Sequence, residues 1–259
     1  MTSRLHPFDG IDNFRDFGDY ATAAGARVRP GRLFRSAHHA RVSDADLARL
    51  AALDFGAVVD LRYPVERRRQ PSRRPEGFDA AVIASDLESD GEAPHIAFLK
   101  SAVLTPESGR AFMTETYRRM PFTPSHLEVF SAYFRALADS DRPVLIHCAA
   151  GKDRTGLLAA LTHYLLGVGR DDLIADYLLT NVAVDLEARA PALAQQLEAL
   201  TGRVAAPDAV VAFMGVEPAY LDAALTVIVA EHGSIDGYLT QALGVDGALR
   251  ERIGERLAA

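Results

Sequence analysis

The chain has 259 residues, of which 49% are hydrophobic and 24% charged, with a formal net charge of -7 at pH 7. That length can bury one substantial core without requiring a second domain, and the acidity excludes general nucleic-acid binding, so an anionic substrate would need a local positive field. A single cysteine and no tryptophan exclude an internal disulfide and any cycle that relays oxidation through a second thiol; the eight histidines show no metal-ligand spacing, and no metal or cofactor is expected.

Read along the chain, the first residues contain no apolar stretch like a signal peptide, and no run reads as long enough to span a membrane. An unpaired cysteine fits a reducing compartment, so a cytoplasmic location is expected. Ser43, Asp46 and apolar Leu47 and Leu50 predict a capped helix leading into a strand at Ala57-Val58-Val59, with Asp60 at its carboxyl end. Arg67, Arg68, Arg69, Arg73 and Arg74 form a basic run on a Pro-broken loop. It reads as a solvated face, with a landing patch for anionic lipid, and hence peripheral membrane contact, as the sharper alternative. A short strand-like run ends near Ile83, just before Asp86. Ser125 and Glu128 read as a capping box, and Leu127, Phe130, Phe134 and Leu137 as one helix face. Pro143-Val144-Leu145-Ile146 predicts a buried strand and residues 157–161 a helix; from Arg170 onward the pattern is helix after helix. The alternation predicts one α/β domain over residues 1–259: a mostly parallel central sheet flanked by helices, with a helix-rich C-terminal half.

Between that strand and helix lies His147-Cys148-Ala149-Ala150-Gly151-Lys152-Asp153-Arg154-Thr155-Gly156. Five residues separate Cys148 from Arg154, enough to wrap backbone N–H groups of Ala149, Ala150, Gly151 and Lys152 round a tetrahedral oxyanion at a helix N-terminus. The same groups and Arg154 favour a thiolate, so Cys148 reads as a nucleophile towards phosphorus. Arg154 offers a planar fork to two phosphate oxygens. Gly151 permits a φ > 0 turn, and the Thr155 hydroxyl can hydrogen-bond the sulfur as it leaves a phosphoenzyme. His147 reads as orienting the loop, and Lys152 as a second cation for polyphosphorylated headgroups. The pattern reads as one that can build a cysteine-dependent phosphatase site. The alternative in another class is a phosphate-binding pseudoenzyme; rhodanese-like sulfur transfer fits the glycine pattern poorly.

Departure of an alcohol or phenol oxygen needs a proton donor. Without tryptophan there can be no Trp-Pro-Asp loop, which leaves Asp86, Asp153 and Asp60. Asp153 lies inside the loop. Asp86 has an ordinary solvated reading among Glu88, Asp90 and Glu92, and Asp60 reads as tying loops together through Arg62.

This loop, with its Lys152-Asp153 pair, resembles that of the bacterial protein tyrosine phosphatase B family, which includes atypical lipid phosphatases. The similarity extends through Asn13-Phe14-Arg15-Asp16, residues 29–36, Asp60-Leu61-Arg62, residues 113–121, Ala175-Asp176-Tyr177-Leu178 and residues 233–239, nearly the whole chain. The resemblance implies a phosphotyrosine phosphatase-like α/β fold, a phosphocysteine intermediate, no metal, and activity extending from phosphotyrosine to phosphoserine, phosphothreonine and phosphoinositides. It places Asp86 where the family has its proposed acid, which ranks it ahead of Asp153. It also implies a mobile helical lid, here about residues 186–215, where Pro191, Gly202 and Pro207 interrupt helical patterns. Export without a recognisable signal stays open, since the family includes a secreted enzyme. Phosphorylated protein or phosphoinositide is the expected partner; oligomeric state is not legible.

Overall fold

The computed structural model describes residues 4–88 and 94–259. Asp90 and Glu92 lie outside the described residues. In chain order the elements are β1 (Arg15–Asp16), β2 (Leu33–Ser36), α1 (Asp44–Ala52), β3 (Ala57–Asp60), α2 (Pro64–Arg69), β4 (Ala81–Ile83), α3 (Pro94–Ser101), α4 (Pro106–Arg119), α5 (Pro124–Asp139) and β5 (Val144–His147). The C-terminal half follows as α6 (Asp153–Leu165), α7 (Arg170–Ala183), α8 (Leu186–Thr201), α9 (Pro207–Met214), α10 (Pro218–His232), α11 (Ile235–Gln241) and α12 (Gly247–Leu257).

The sheet runs β1-β2-β5-β3-β4, parallel throughout except for the antiparallel β1 at one border. This is the expected α/β architecture. Successive residues of a strand point to opposite faces, and both faces are covered. Leu33, Ala57, Val59, Val144 and Ile146 enter the larger core, while Phe34, Val58 and Leu145 enter a smaller one with Leu50 of α1, Phe14 and Phe55. Each such side chain taken fully from water stabilises the fold by roughly 1.5–3 kcal/mol before entropy is counted. At the carboxyl end the register aligns Ser36, His147 and Asp60. The loop after β5 therefore springs from the centre of the sheet, flanked by the ends of β2 and β3.

Local signals resolve unevenly. Ser43 and Asp46 form the reciprocal capping box of α1. Ser125 does not cap α5: Thr123 precedes that helix, Pro124 occupies its first turn, and the Glu128 carboxylate accepts instead from the Ser85 hydroxyl. Proline at the first helical position supplies a preset φ without losing a hydrogen bond, which shifts the start by two residues. Arg67, Arg68 and Arg69 sit on α2, not on a loop, again behind a first-turn proline. The segment 207–232 is long and apolar enough to cross a membrane by composition, contrary to the reading of the sequence. It folds as two helices, α9 and α10, that turn at Gly215–Glu217. Pro191 lies inside α8.

Candidate active site

The loop between β5 and α6 is held from outside by its carbonyls. The His38 N–H donates to Ala149 O (3.2 Å), Asn13 Nδ2 to Ala150 O (3.3 Å) and Gly151 O (2.9 Å), and Arg35 Nη2 to Gly151 O (3.1 Å). With these oxygens turned outward, the N–H groups of residues 149–155 have no protein acceptor among the described residues, which leaves a ring of donors at the start of α6. Gly151 has φ +67°, and an added Cβ would lie 2.4 Å from the backbone of Ser36. Both facts confine the position to glycine.

Behind the loop is a buried ionic group. Arg15 Nε lies 3.2 Å from Asp176 Oδ1 and Arg35 Nη1 2.7 Å from Oδ2, all three side chains at most 1% exposed. Arg15 also donates to Asn13 Oδ1, which turns the Asn13 amide so that Nδ2 faces the loop. Asn13 is in the left-handed region (φ 60°), a conformation that costs energy for a residue with a Cβ and is held here by these bonds. Burial alone would raise the Asp176 carboxyl, but Arg15 and Arg35 outweigh it and keep it ionised far below its ordinary range. Burial and the second guanidinium lower Arg15 to about 10, still charged at neutral pH.

Cys148 is 2% exposed and is a free thiol. Arg154 reaches back from α6 to α2, where Nη1 and Nη2 donate to the Glu66 carboxylate at 2.6 and 2.9 Å; Nη1 also donates to Leu61 O at 3.1 Å. This uses the Nη1/Nη2 edge of the guanidinium. Burial opposes the charge on Arg154, yet Glu66, then Cys148 and Tyr63, push its pKa above the ordinary value. Glu66 in turn is driven up by burial but held lower overall by Arg154. The sequence reading did not include Glu66. Its signal, a carboxylate between Pro64 and three arginines, looked like part of a solvated helix or loop.

Lys152 is 8% exposed, and its Nζ donates to Phe213 O (3.0 Å) and Gly215 O (3.2 Å) at the end of α9. Those carbonyls have no helical partner and carry the negative end of the helix dipole, a good site for an ammonium. The Asp153 carboxylate accepts from Tyr117 Oη at 3.0 Å and lies 3.7 Å from Lys152 Nζ. The Thr155 hydroxyl is buried without a hydrogen-bond partner among the described residues. His147 stacks on His39 with centroids 4.6 Å apart, and its Nε2 lies 3.6 Å from Asp60. Burial lowers His147 to about 4, so it is a neutral spacer behind the loop at neutral pH. Asp60 grips Arg62 at 2.6 and 2.8 Å; burial opposes its charge, but His147 and Arg62 hold it down at about 2. Arg62 continues to Gln70 O and Ser72, so this pair ties loops together.

Asp86 stands apart. Its side chain is fully exposed and pairs with Arg67 at 2.8 Å, and no hydrogen bond joins it to the catalytic loop among the described residues. Arg68 pairs with Glu88 and Arg73 with Asp44, so carboxylates accompany much of the basic run. A further residue outside the sequence reading is His95 at the start of α3. Although His95 stays partly open to water, desolvation lowers its pKa, and Glu66, Arg154, Asp153 and Lys152 all act on it electrostatically.

An anion cradle at the carboxyl edge of an α/β sheet, enclosing one cysteine and one arginine, defines a cysteine-dependent phosphatase. The sequence profile of the tyrosine phosphatase family matches residues 6–259, and the chain belongs to that family. It is 36% identical over 272 aligned residues to the triple specificity protein phosphatase PtpB of Mycobacterium tuberculosis, covering 94% of this chain and 95% of that protein. A Cupriavidus necator protein provisionally named as a tyrosine-protein phosphatase is 38% identical over 241 residues, 93% of this chain and 85% of its own. A tyrosine-protein phosphatase of Nostoc commune is 32% identical over 168 residues, 61% of this chain and 51% of that protein.

Proposed function

We propose that the protein is a metal-independent phosphomonoesterase that acts first on phosphotyrosine, extends to phosphoserine and phosphothreonine, and works through a phosphocysteine. The observation that carries the reading is the outward binding of the loop carbonyls, which leaves the N–H donors facing a site that also holds Cys148 and Arg154. In the first step the sulfur attacks phosphorus, the P–O bond to the leaving group breaks, and a carboxylic acid gives that oxygen its proton. In the second step the resulting carboxylate takes a proton from water as the water oxygen attacks phosphorus and the S–P bond breaks, releasing phosphate and thiolate. Arg154, seated on Glu66, keeps Nε and Nη2 for the equatorial oxygens, and Thr155 has a hydroxyl to spare for the sulfur. The loop amides of Ala149, Ala150, Gly151 and Lys152 bind the remaining oxygens.

For the proton carrier we favour Asp153 over Asp86, reversing the order expected from resemblance. Asp153 is one residue from Arg154 and hydrogen-bonded within the core, whereas Asp86 is open to water and neutralised by Arg67. The second substrate reading, phosphoinositides, rests on Lys152 and on the triple specificity stated for the mycobacterial relative. It requires Lys152 to leave the carbonyls of α9, so α8 and α9 would act as the lid, open for lipid headgroups. A reducing, cytoplasmic location suits the lone thiol.

The test is phosphate release, with chelator present, from a phosphotyrosine peptide and from phosphoinositide vesicles. Cys148→Ser should remove turnover on both, by about 10⁴-fold or more. A folded wild type that binds phosphate and turns over neither substrate would leave only a phosphate-binding protein.

A further inference from the structure

The motif's second glycine has no special backbone conformation. Gly156 lies inside α6, and what confines it is a neighbour: an added Cβ would stand 2.9 Å from Tyr177 Cε2 and 3.0 Å from Cδ2. The Cδ2–Cε2 edge of the Tyr177 ring from α7 thus packs directly on the helix that begins at the catalytic loop. Its hydroxyl donates to Tyr117 Oη on α4 at 2.6 Å, and Tyr117 Oη donates to Asp153 Oδ1 at 3.0 Å. Both tyrosines are at most 1% exposed. The Tyr117 ring is further fixed edge-on to Tyr177 and tilted on Tyr220, with centroids 6.3 and 5.9 Å apart.

A phenol has one proton, so the direction of this chain is set by its end. While Asp153 is ionised it can only accept; Tyr117 then gives it its proton and must accept from Tyr177. Burial first, and then the Asp153 charge, push both phenols well above their ordinary range, so they remain neutral donors. When Asp153 carries its proton on Oδ2, Oδ1 still accepts from Tyr117 and the chain keeps its direction. In either state Oδ1 is occupied.

We propose that Tyr117, backed by Tyr177 across Gly156, is a positioning residue for Asp153: the pair holds Oδ1 in the core and presents Oδ2 to the leaving-group oxygen and to the hydrolytic water. This rests on the reading of the protein as a phosphatase with Asp153 as its proton carrier. A donor held on the carboxylate favours the ionised form. Loss of Tyr117 Oη therefore raises the pH at which Asp153 gives up its proton. Other groups act on the same carboxylate: Lys152 at 3.7 Å, His95 on α3 and Tyr220 on α10, while Arg154, next in the chain, is paired to Glu66 of α2. None of these changes in Tyr117→Phe, which keeps the ring and its packing.

The experiment is the pH dependence of kcat on a phosphotyrosine peptide for wild type, Tyr117→Phe, Gly156→Ala, Asp153→Asn and the Tyr117→Phe/Asp153→Asn double variant. In Tyr117→Phe the limb that reports Asp153 should move up by about one pH unit. Gly156→Ala keeps both hydroxyls, favours the helix and pushes Tyr177 back, and should move the limb the same way by less. Asp153→Asn should abolish the limb, and adding Tyr117→Phe to it should lower kcat no further. An active wild type whose limb stays in place in both Tyr117→Phe and Gly156→Ala overturns the proposal alone, as does an equal loss from Tyr117→Phe with or without Asp153. Should Tyr117→Phe fail to fold, Gly156→Ala decides. A folded wild type without turnover overturns the phosphatase reading itself, and this proposal with it.

Discussion

The catalytic loop and the α8–α9 segment lie against each other but are fastened by different means. The loop's carbonyls are bound by Asn13 and Arg35, and these by Arg15 and Asp176, a network with every side chain at most 3% exposed. The α8–α9 segment has a small apolar cluster of its own, Ala190, Ala194 and Val210, packed mainly with alanine and valine. Its ties to the body include two bonds from Lys152 and a reciprocal pair between the Asn181 amide and the backbone of Val216. Phe213 and Ala209 of α9 also enter the larger core, where Phe213 packs against Phe98 and Phe112, so the segment is fastened by apolar contact where the loop is fastened by buried charge.

The contrast is broken most severely at Asp176. Asp176→Asn leaves Arg15 and Arg35 as two buried cations without their counter-charge, and should destabilise the protein by about 3–5 kcal/mol in chemical denaturation. An unchanged midpoint would mean that the loop does not depend on this network.

Acid should also act on the body and not on the segment, since residues 186–214 contain no histidine. His147 and His126 are held by burial at about 4 in the fold, against an ordinary 6.5. As pH falls below 6.5 the unfolded chain takes up these protons first. Stability that is present above 6.5 is therefore lost progressively towards pH 4, by up to about 3 kcal/mol for each histidine. Melting temperatures across pH 7 to 4 would show it; His126→Gln should flatten the slope.

Glu66→Gln sharpens the comparison within the site. It weakens the seat of Arg154 without touching the cradle, and kcat/KM for a phosphotyrosine peptide should fall tenfold to about a hundredfold with the fold intact. The smallest effect is expected where Asn181 of α7 holds the turn after α9. Asn181→Ala removes both bonds to Val216 and should speed alkylation of the buried Cys148 by about tenfold, the equivalent of one or two net hydrogen bonds. If alkylation is no faster, these bonds do not limit access to Cys148.

The parts of this molecule that could be read from sequence are those whose cause is local. The loop is legible because ten consecutive residues carry the nest, the thiol and the arginine, and its flanking strand and helix announce themselves by apolar runs. Glu66 was not legible, because its importance comes from Arg154, 88 residues further on. Asn13, Arg15, Arg35 and Asp176 stood out by resemblance, yet nothing local says that four polar residues from β1 and the turn before it, β2 and α7 meet behind the loop. Lys152 shows the same limit from the other side: a loop lysine suggested a headgroup cation, while the fold gives it the end of α9. Ser125 failed for a local reason, since Pro124 set the helix start before the serine could.

Lys152 Nζ gives two of its three donors to the last carbonyls of α9, and a second phosphate of an incoming ligand competes for them. A ligand that needs this ammonium binds only the fraction of molecules in which it has been released, so its apparent affinity is its intrinsic affinity scaled by that fraction. Its association rate should level off with concentration, at the frequency of release, whereas a monophosphate that needs only Arg154 is spared that wait. Two ligand classes could then be told apart by the shape of their binding curves in time, even where their equilibrium affinities coincide.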